Sequence, residues 1–144
     1  MAFRSLLMVF LFLSAVAYGE DWKVIPTNAP DIVFSIDLSS VERQGNLVSF
    51  REKLRFDNVE RIDPVSGKGI REKRSHRIMD CKDRSQGLLA GSMFDDEGHL
   101  IEMVNIEQDQ VEMTSIPART IAEQELAIVC ALTPDAVAPD VSKP

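Results

Sequence analysis

The sequence predicts an α+β fold, an antiparallel β-sheet meander of about five or six strands packed against a C-terminal α-helix, and three observations predict it. Short apolar segments recur between residues 32 and 104, and the clearest of them, 47–56, alternates apolar and polar with a period of two. The turn signals between these segments are only a few residues long, whereas parallel pairing would need crossovers of about a dozen residues or more. From Thr120 the apolar spacing lengthens to that of a helix.

Each element follows in chain order. Arg4 precedes an apolar run from Leu6 to Leu13 and then small residues, the pattern of a secretory signal peptide. About eight apolar residues fall short of the roughly 20 a membrane-spanning helix needs. Ala15-Val16-Ala17 and Ala17-Tyr18-Gly19 both offer the small residues a signal peptidase reads, and an N-terminal core strand is the alternative for the whole stretch. The expected organisation is a leader over 1–19, one domain over 20–132 and a disordered tail over 133–144, where prolines recur and apolar content is low. After Trp22 to Ile25, the segment from Pro26 to Pro30 breaks regular structure, and 32–36 reads as a short buried strand. Residues 37–42 read as a turn or one helical turn, and Gln44-Gly45-Asn46 as a turn. In the next strand Val48, Phe50, Leu54 and Phe56 share one face, Ser49, Arg51, Lys53 and Arg55 the other, and Glu52 alone breaks the apolar set. A loop over 63–69 leads to a charged strand over 70–81. Residues 82–87 turn the chain into a strand over 88–94, and an acidic turn over 95–98 leads to another over 100–104. Thr120-Ile121-Ala122-Glu123 has capping-box form, Ala122, Leu126, Val129 and Cys130 fall on one helical stripe, and Pro134 ends the helix.

Charge and cysteine usage bound the class. The chain has 16 basic and 23 acidic residues; loss of Arg4 with the leader leaves a formal charge of about −8. Such a protein is not built for nucleic acid, although a local basic patch still acts within a Debye length of about 10 Å. No cysteine suited to lipid attachment lies near the cleavage sites and no later apolar run reaches spanning length, so no transmembrane anchor is expected once the leader is removed. Cys81 and Cys130 form an even pair in the exported part and point to one disulfide. It would close a loop of about 50 residues, for which chain entropy gives roughly 4 kcal/mol as an upper figure. The alternative is two buried free thiols. On the disulfide reading Cys130 faces the sheet from the helix, and Cys81 closes an apolar strand end. His76 and His99 show no metal-ligand spacing with these cysteines, and no metal or cofactor is expected.

A set of segments carries a family likeness: Trp22; Phe34-Ser35-Ile36-Asp37-Leu38-Ser39-Ser40-Val41 with Gly45-Asn46; Arg77-Ile78-Met79-Asp80-Cys81; Ile116-Pro117; and Thr120-Ile121-Ala122-Glu123 with Val129-Cys130. Over nearly the whole mature part the chain resembles the surface-adhesin protein E family of small exported proteins of Gram-negative bacteria. The resemblance implies an antiparallel sheet under a C-terminal helix and, as in the characterised adhesins, binding of host extracellular-matrix proteins such as vitronectin and laminin. The chain departs from that pattern at 102–112, which is acidic where a vitronectin binder implies a basic loop.

No Gly-x-Ser-x-Gly elbow, His-Glu-x-x-His or Gly-rich phosphate loop is present, so a non-catalytic protein of the periplasm or cell surface is expected. Asp95, Asp96 and Glu97 read as turn residues, without the spacing of a dedicated Ca²⁺ loop. One constellation stands out: Arg51, Lys53 and Arg55 on one strand, with Arg71, Lys73, Arg74 and Arg77 on the strand expected beside it. It reads either as a solvated face interleaved with glutamates or as a binding face. Fitting partners are a host matrix protein or an anionic glycan or lipopolysaccharide, not nucleic acid. The alternative is a periplasmic small-ligand-binding or accessory module, with a pocket between sheet and helix.

Overall fold

Gly45 takes φ +61° at the first position of the two-residue turn between Gln44 and Leu47, the signature of a II′ hairpin, and this turn sets the register of the longest strand pair. The computed structural model describes residues 19–58 and 62–132. All of the expected leader except Gly19, and the tail after Leu132, lie outside the described residues. Strands β1 (Trp22–Ile25), β2 (Ile32–Gln44), β3 (Leu47–Phe56), β4 (Glu72–Asp80), β5 (Ser85–Phe94) and β6 (Leu100–Asn105) pair antiparallel in that order. A short β7 (Thr114–Ser115) pairs with the start of β5, beyond the end of β6. One helix, α1 (Ile121–Ala131), closes the described fold, which is the expected α+β meander.

The expectation of a turn over 37–42 is corrected, because β2 runs straight through it in a wide irregularity. Asp37 pairs with Arg51 and Glu42 with Ser49, so the β2 side carries extra residues that the ladder cannot pair. Short polar side chains replace the missing ladder bonds. The Ser39 hydroxyl and amide donate to the Asp37 carboxylate, while the Ser40 hydroxyl donates to the Asp37 carbonyl and accepts from the Arg51 amide at 2.8 Å. The bulge lets both Leu38 and Val41 pack against the core.

The turn expected over 82–87 is shorter than its composition suggests. Asp80 accepts from the amides of Lys82 and Asp83, Arg84 takes φ +51°, and β5 begins at Ser85. Gly87 therefore lies inside a strand, where it serves close approach. A Cβ there would sit 2.3 Å from Val111 Cγ1 and 3.0 Å from Met113 Sδ, on the segment that crosses from β6 to β7. Gly87→Ala is expected to cost about 1–3 kcal/mol through overpacking. Urea denaturation checks this, and an unchanged midpoint would show that the crossing segment yields freely.

The core lies between α1 and the face of β1–β3. Ile25, Ile36, Val48, Phe50, Met79, Leu126 and Val129 are all buried there, and Ile116 closes one side. Thr120 caps α1 by accepting from the Glu123 amide, and the Glu123 carboxylate reaches back to the Arg119 amide at 2.7 Å, one residue earlier than a standard capping box. At the other end Arg43, from β2, donates to the Cys130 carbonyl at 2.8 Å and so satisfies an orphan acceptor of the last turn. The Cys81–Cys130 disulfide, with Cα atoms 5.8 Å apart, ties that turn to the end of β4.

Candidate functional site

The register divides the seven basic residues between the two faces of the sheet. Lys53 pairs directly with Arg74, Arg51 with His76, and Arg55 with Glu72, so Arg51, Lys53, Arg55 and Arg74 share the face turned away from α1. Arg71, Lys73 and Arg77 alternate with Arg74 onto the helix-side face, which corrects the expectation of one seven-residue stripe. Arg71 donates to the carbonyls of Phe56 and Asp57, 2.9 and 3.0 Å away, and holds the exit of β3. Lys73 lies opposite Leu54 and Met93.

On the open face, like charges meet across the ladder at Lys53 and Arg74, an arrangement that costs stability unless it is offset. Two aromatic rings share the load. Lys53 Nζ stands 4.0 Å from the centroid of Trp22, and the Arg74 guanidinium 5.0 Å from that of Phe94. Three of the cations also have acidic neighbours: Arg51 is 3.7 Å from Asp37, Arg55 is 3.4 Å from Asp57, and Arg74 is 2.5 Å from Glu72. Their side chains stay more than half exposed and remain available to an outside partner. Asp37 is fully buried beneath Arg51. Burial pushes its pKa up, but hydrogen bonds from the Ser39 hydroxyl and the amides of Asp21 and Ser39, with the Arg51 charge, outweigh this and hold the carboxyl below its ordinary value. The charge under Arg51 is therefore permanent at neutral pH, and it anchors the guanidinium rather than switching it.

Arg77 belongs to a different site. Its guanidinium lies between Glu52, at 3.3 Å, and Glu125 of α1, at 3.5 Å, and donates to the Gln86 side chain. Glu52, the one acidic interruption on the apolar side of β3, thus meets a cationic partner there. Glu125 is 1% exposed, and its carboxyl has that of Glu52 as its hydrogen-bonding neighbour. Burial first, then the adjacent Glu52 carboxylate, push its pKa up to about 9 against the opposing charge of Arg77. Glu125 lies beside the helical stripe of Ala122, Leu126, Val129 and Cys130 that the sequence marks. Its spacing of three from Ala122 and four from Val129 sets it next to that stripe, and this was the available signal.

The acidic turn after β5 is built on Asp95, whose Oδ1 accepts from the amides of Glu97 and His99. Desolvation raises its pKa, but those amides and His99 bring it below the ordinary value. Asp95, Glu97 and His99 bring one potential ligand atom each within 4.8 Å of the others, and Asp96 is not in this group. The geometry is that of a side-chain-closed turn with Gly98 at φ +82°.

The fold recurs in a solved protein. A structure of Haemophilus influenzae protein E in its crystal form II is similar to this chain at 18% identity and a TM-score of 0.50, covering 68% of this chain and 80% of that one. Another structure of Haemophilus influenzae protein E gives 18% and 0.49, covering 68% and 76%. No curated protein matches this chain in sequence. Among the described residues no helix is long and apolar enough to cross a membrane. The family model for surface-adhesin protein E matches residues 22–131, from the first residue of β1 to the last of α1. The chain thus belongs to the surface-adhesin protein E family of adhesin-like proteins, which implies an exported or cell-surface location.

Proposed function

We propose that this protein is a non-catalytic binder of the bacterial envelope, acting in the periplasm or at the cell surface as residues 20–132 after removal of a leader. Its contact surface for extracellular-matrix or other polyanionic ligands is the open face of the sheet at Arg51, Lys53, Arg55 and Arg74. The observation that carries this reading is the direct pairing of Lys53 with Arg74 on that face. Like charges in register are unfavourable to the isolated sheet, and an anionic partner relieves them. The overall acidic charge does not oppose this, because screening confines the effective field to the nearest charges.

Binding to heparin and to immobilised matrix proteins is expected to weaken steeply with salt. Arg51→Ala/Lys53→Ala/Arg55→Ala should reduce it by about tenfold, since three exposed contacts of several tenths of a kcal/mol each approach 1.4 kcal/mol. Lys73→Ala, on the opposite face, should leave it unchanged. Equal binding by the triple variant and the parent protein would overturn the assignment. A ligand that raises Tm independently of salt, with no retention of polyanions, would favour an accessory small-ligand module instead.

A further inference from the structure

The open face also contains a groove of about 210 Å³, and its chemistry is more specific than that of a basic stripe. Its floor is low because β5 presents small residues there. Ala90 lies between His76 and Asn105, and Ser92 between Arg74 and Met103, so two successive cross-strand rows dip at their centres. Trp22 and Met103 supply apolar lining surface, and the lining includes Arg51 and Arg74, whose guanidiniums lie beside Asp37 and Glu72. The Trp22 indole is fixed from two sides: its Nε1 donates to Glu20 at 2.8 Å, and Lys53 lies over the ring.

The volume is below the roughly 300–1,000 Å³ of sites that enclose drug-sized ligands, so the groove suits a single small ring. Two guanidiniums call for a carboxylate or sulfate, which arginine recognises through paired hydrogen bonds. The same lining carries acceptors, the Glu20 carboxylate and the Asn105 amide oxygen, which a bare inorganic anion has no donors to satisfy. The ligand that satisfies both sets carries an anionic group, several hydroxyl donors and an apolar ring face to lie against Trp22 and Ala90. We propose that this groove binds one acidic hexose unit, a uronic acid or a sulfated sugar, of an extracellular anionic glycan. The carboxylate or sulfate lies toward Arg51 and Arg74, and the hydroxyls toward Glu20 and Asn105. The proposal rests on the polyanion reading of this face and names the ligand class within it.

Trp22 is the only tryptophan of the chain, so its emission reports on the groove directly. Titration with a sulfated, uronic-acid-containing disaccharide is expected to change Trp22 emission saturably, whereas inorganic sulfate and a neutral disaccharide at the same concentrations do not. Ala90→Leu/Ser92→Leu fills the floor without altering charge and should weaken the disaccharide response at least about tenfold, equivalent to about 1.4 kcal/mol, while retention on heparin persists through the stripe. Asn105→Ala, on the exposed outer strand, gives an independent reading: it should weaken the disaccharide and leave heparin retention in place. An undiminished titration in both variants, or an equal response to inorganic sulfate, would overturn the groove assignment. No disaccharide response, with heparin retention still dependent on Arg51, Lys53 and Arg55, would overturn the groove alone. Loss of dependence on those three cations would overturn the surface reading itself.

Discussion

Replacing Cys81 and Cys130 together by alanine is expected to cost about 2–4 kcal/mol and to release α1 from the sheet before the meander unfolds. The bridge spans 49 positions and joins the last turn of the helix to the end of β4. In the chain-entropy account a loop of that size restricts the unfolded ensemble by roughly 4 kcal/mol, with any residual structure in that ensemble subtracting from it. Without the bridge the helix is held by its packed face and by side-chain contacts, among them the Arg84–Glu123 ion pair at 2.6 Å. Its 11 residues are below the roughly 12–15 at which isolated helices become even marginal in water, so it persists by packing on β1–β3 and by its end contacts. Arg43 would still reach the Cys130 carbonyl position, and this part-buried hydrogen bond from a charged donor adds about 1.5–3 kcal/mol, less than the bridge at its upper figure. Hydrogen exchange read by segment checks the order of events: amides over 121–131 should lose protection ahead of those in β3 and β4. Simultaneous loss across helix and sheet would show instead that the two form one cooperative unit.

The reach of the sequence differed between elements for physical reasons. Where one face is buried and the other wet, alternation reads out directly, and β3 is the clearest case. The meander order follows from short connections, and the disulfide from an even pair of cysteines in an exported chain. At 37–42 the reading fails because Asp37, Ser39 and Ser40 have the chemistry of a turn. Here the same short polar side chains hydrogen-bond within a strand, repairing its ladder across a bulge. Gly87 misleads in a similar way: glycine marks turns, but this one admits the Val111 side chain against β5, while Arg84 takes the left-handed position. The basic stripe was legible in composition and not in placement. Alternation alone separates Arg74 from Arg71, Lys73 and Arg77, but which set faces the helix depends on the phase of β4 against β3, and that is set by pairing Val48 with Met79.

Stability is expected to fall as pH rises from about 5 toward 9, and Glu125→Gln should flatten that slope. The sign follows from proton counting. Glu125 has its pKa raised from 4.5 to about 9 in the folded protein, so between those values the folded state holds a proton that the unfolded chain has released. Stability is then complete below the unfolded value and declines as pH rises, by at most about 1.4 kcal/mol per pH unit for one proton. Three carboxylates act with the opposite sign. Asp37 and Asp95 are held below their ordinary values, as is Asp63, whose carboxylate accepts from the Ser66 side chain and amide in the loop before β4, so what they contribute is present above the unfolded value of 3.8 and is lost as pH falls through their folded values. Together these four groups move the optimum toward the acidic side of the usual range of roughly 5–8. In Glu125→Gln the amide does not titrate and can donate to Glu52, so the variant should match the parent near pH 5 and exceed it at pH 8. Urea midpoints across that interval provide the measurement. Parallel curves for the two proteins would mean that Arg77 keeps Glu125 ionised in the folded state. Removing the cation instead, in Arg77→Leu, leaves Glu52 beside Glu125 without its counter-ion and should cost about 3–5 kcal/mol at neutral pH. Arg77→Lys, which keeps the charge, should lose less than Arg77→Leu, and this separates an electrostatic role for Arg77 from one of packing alone.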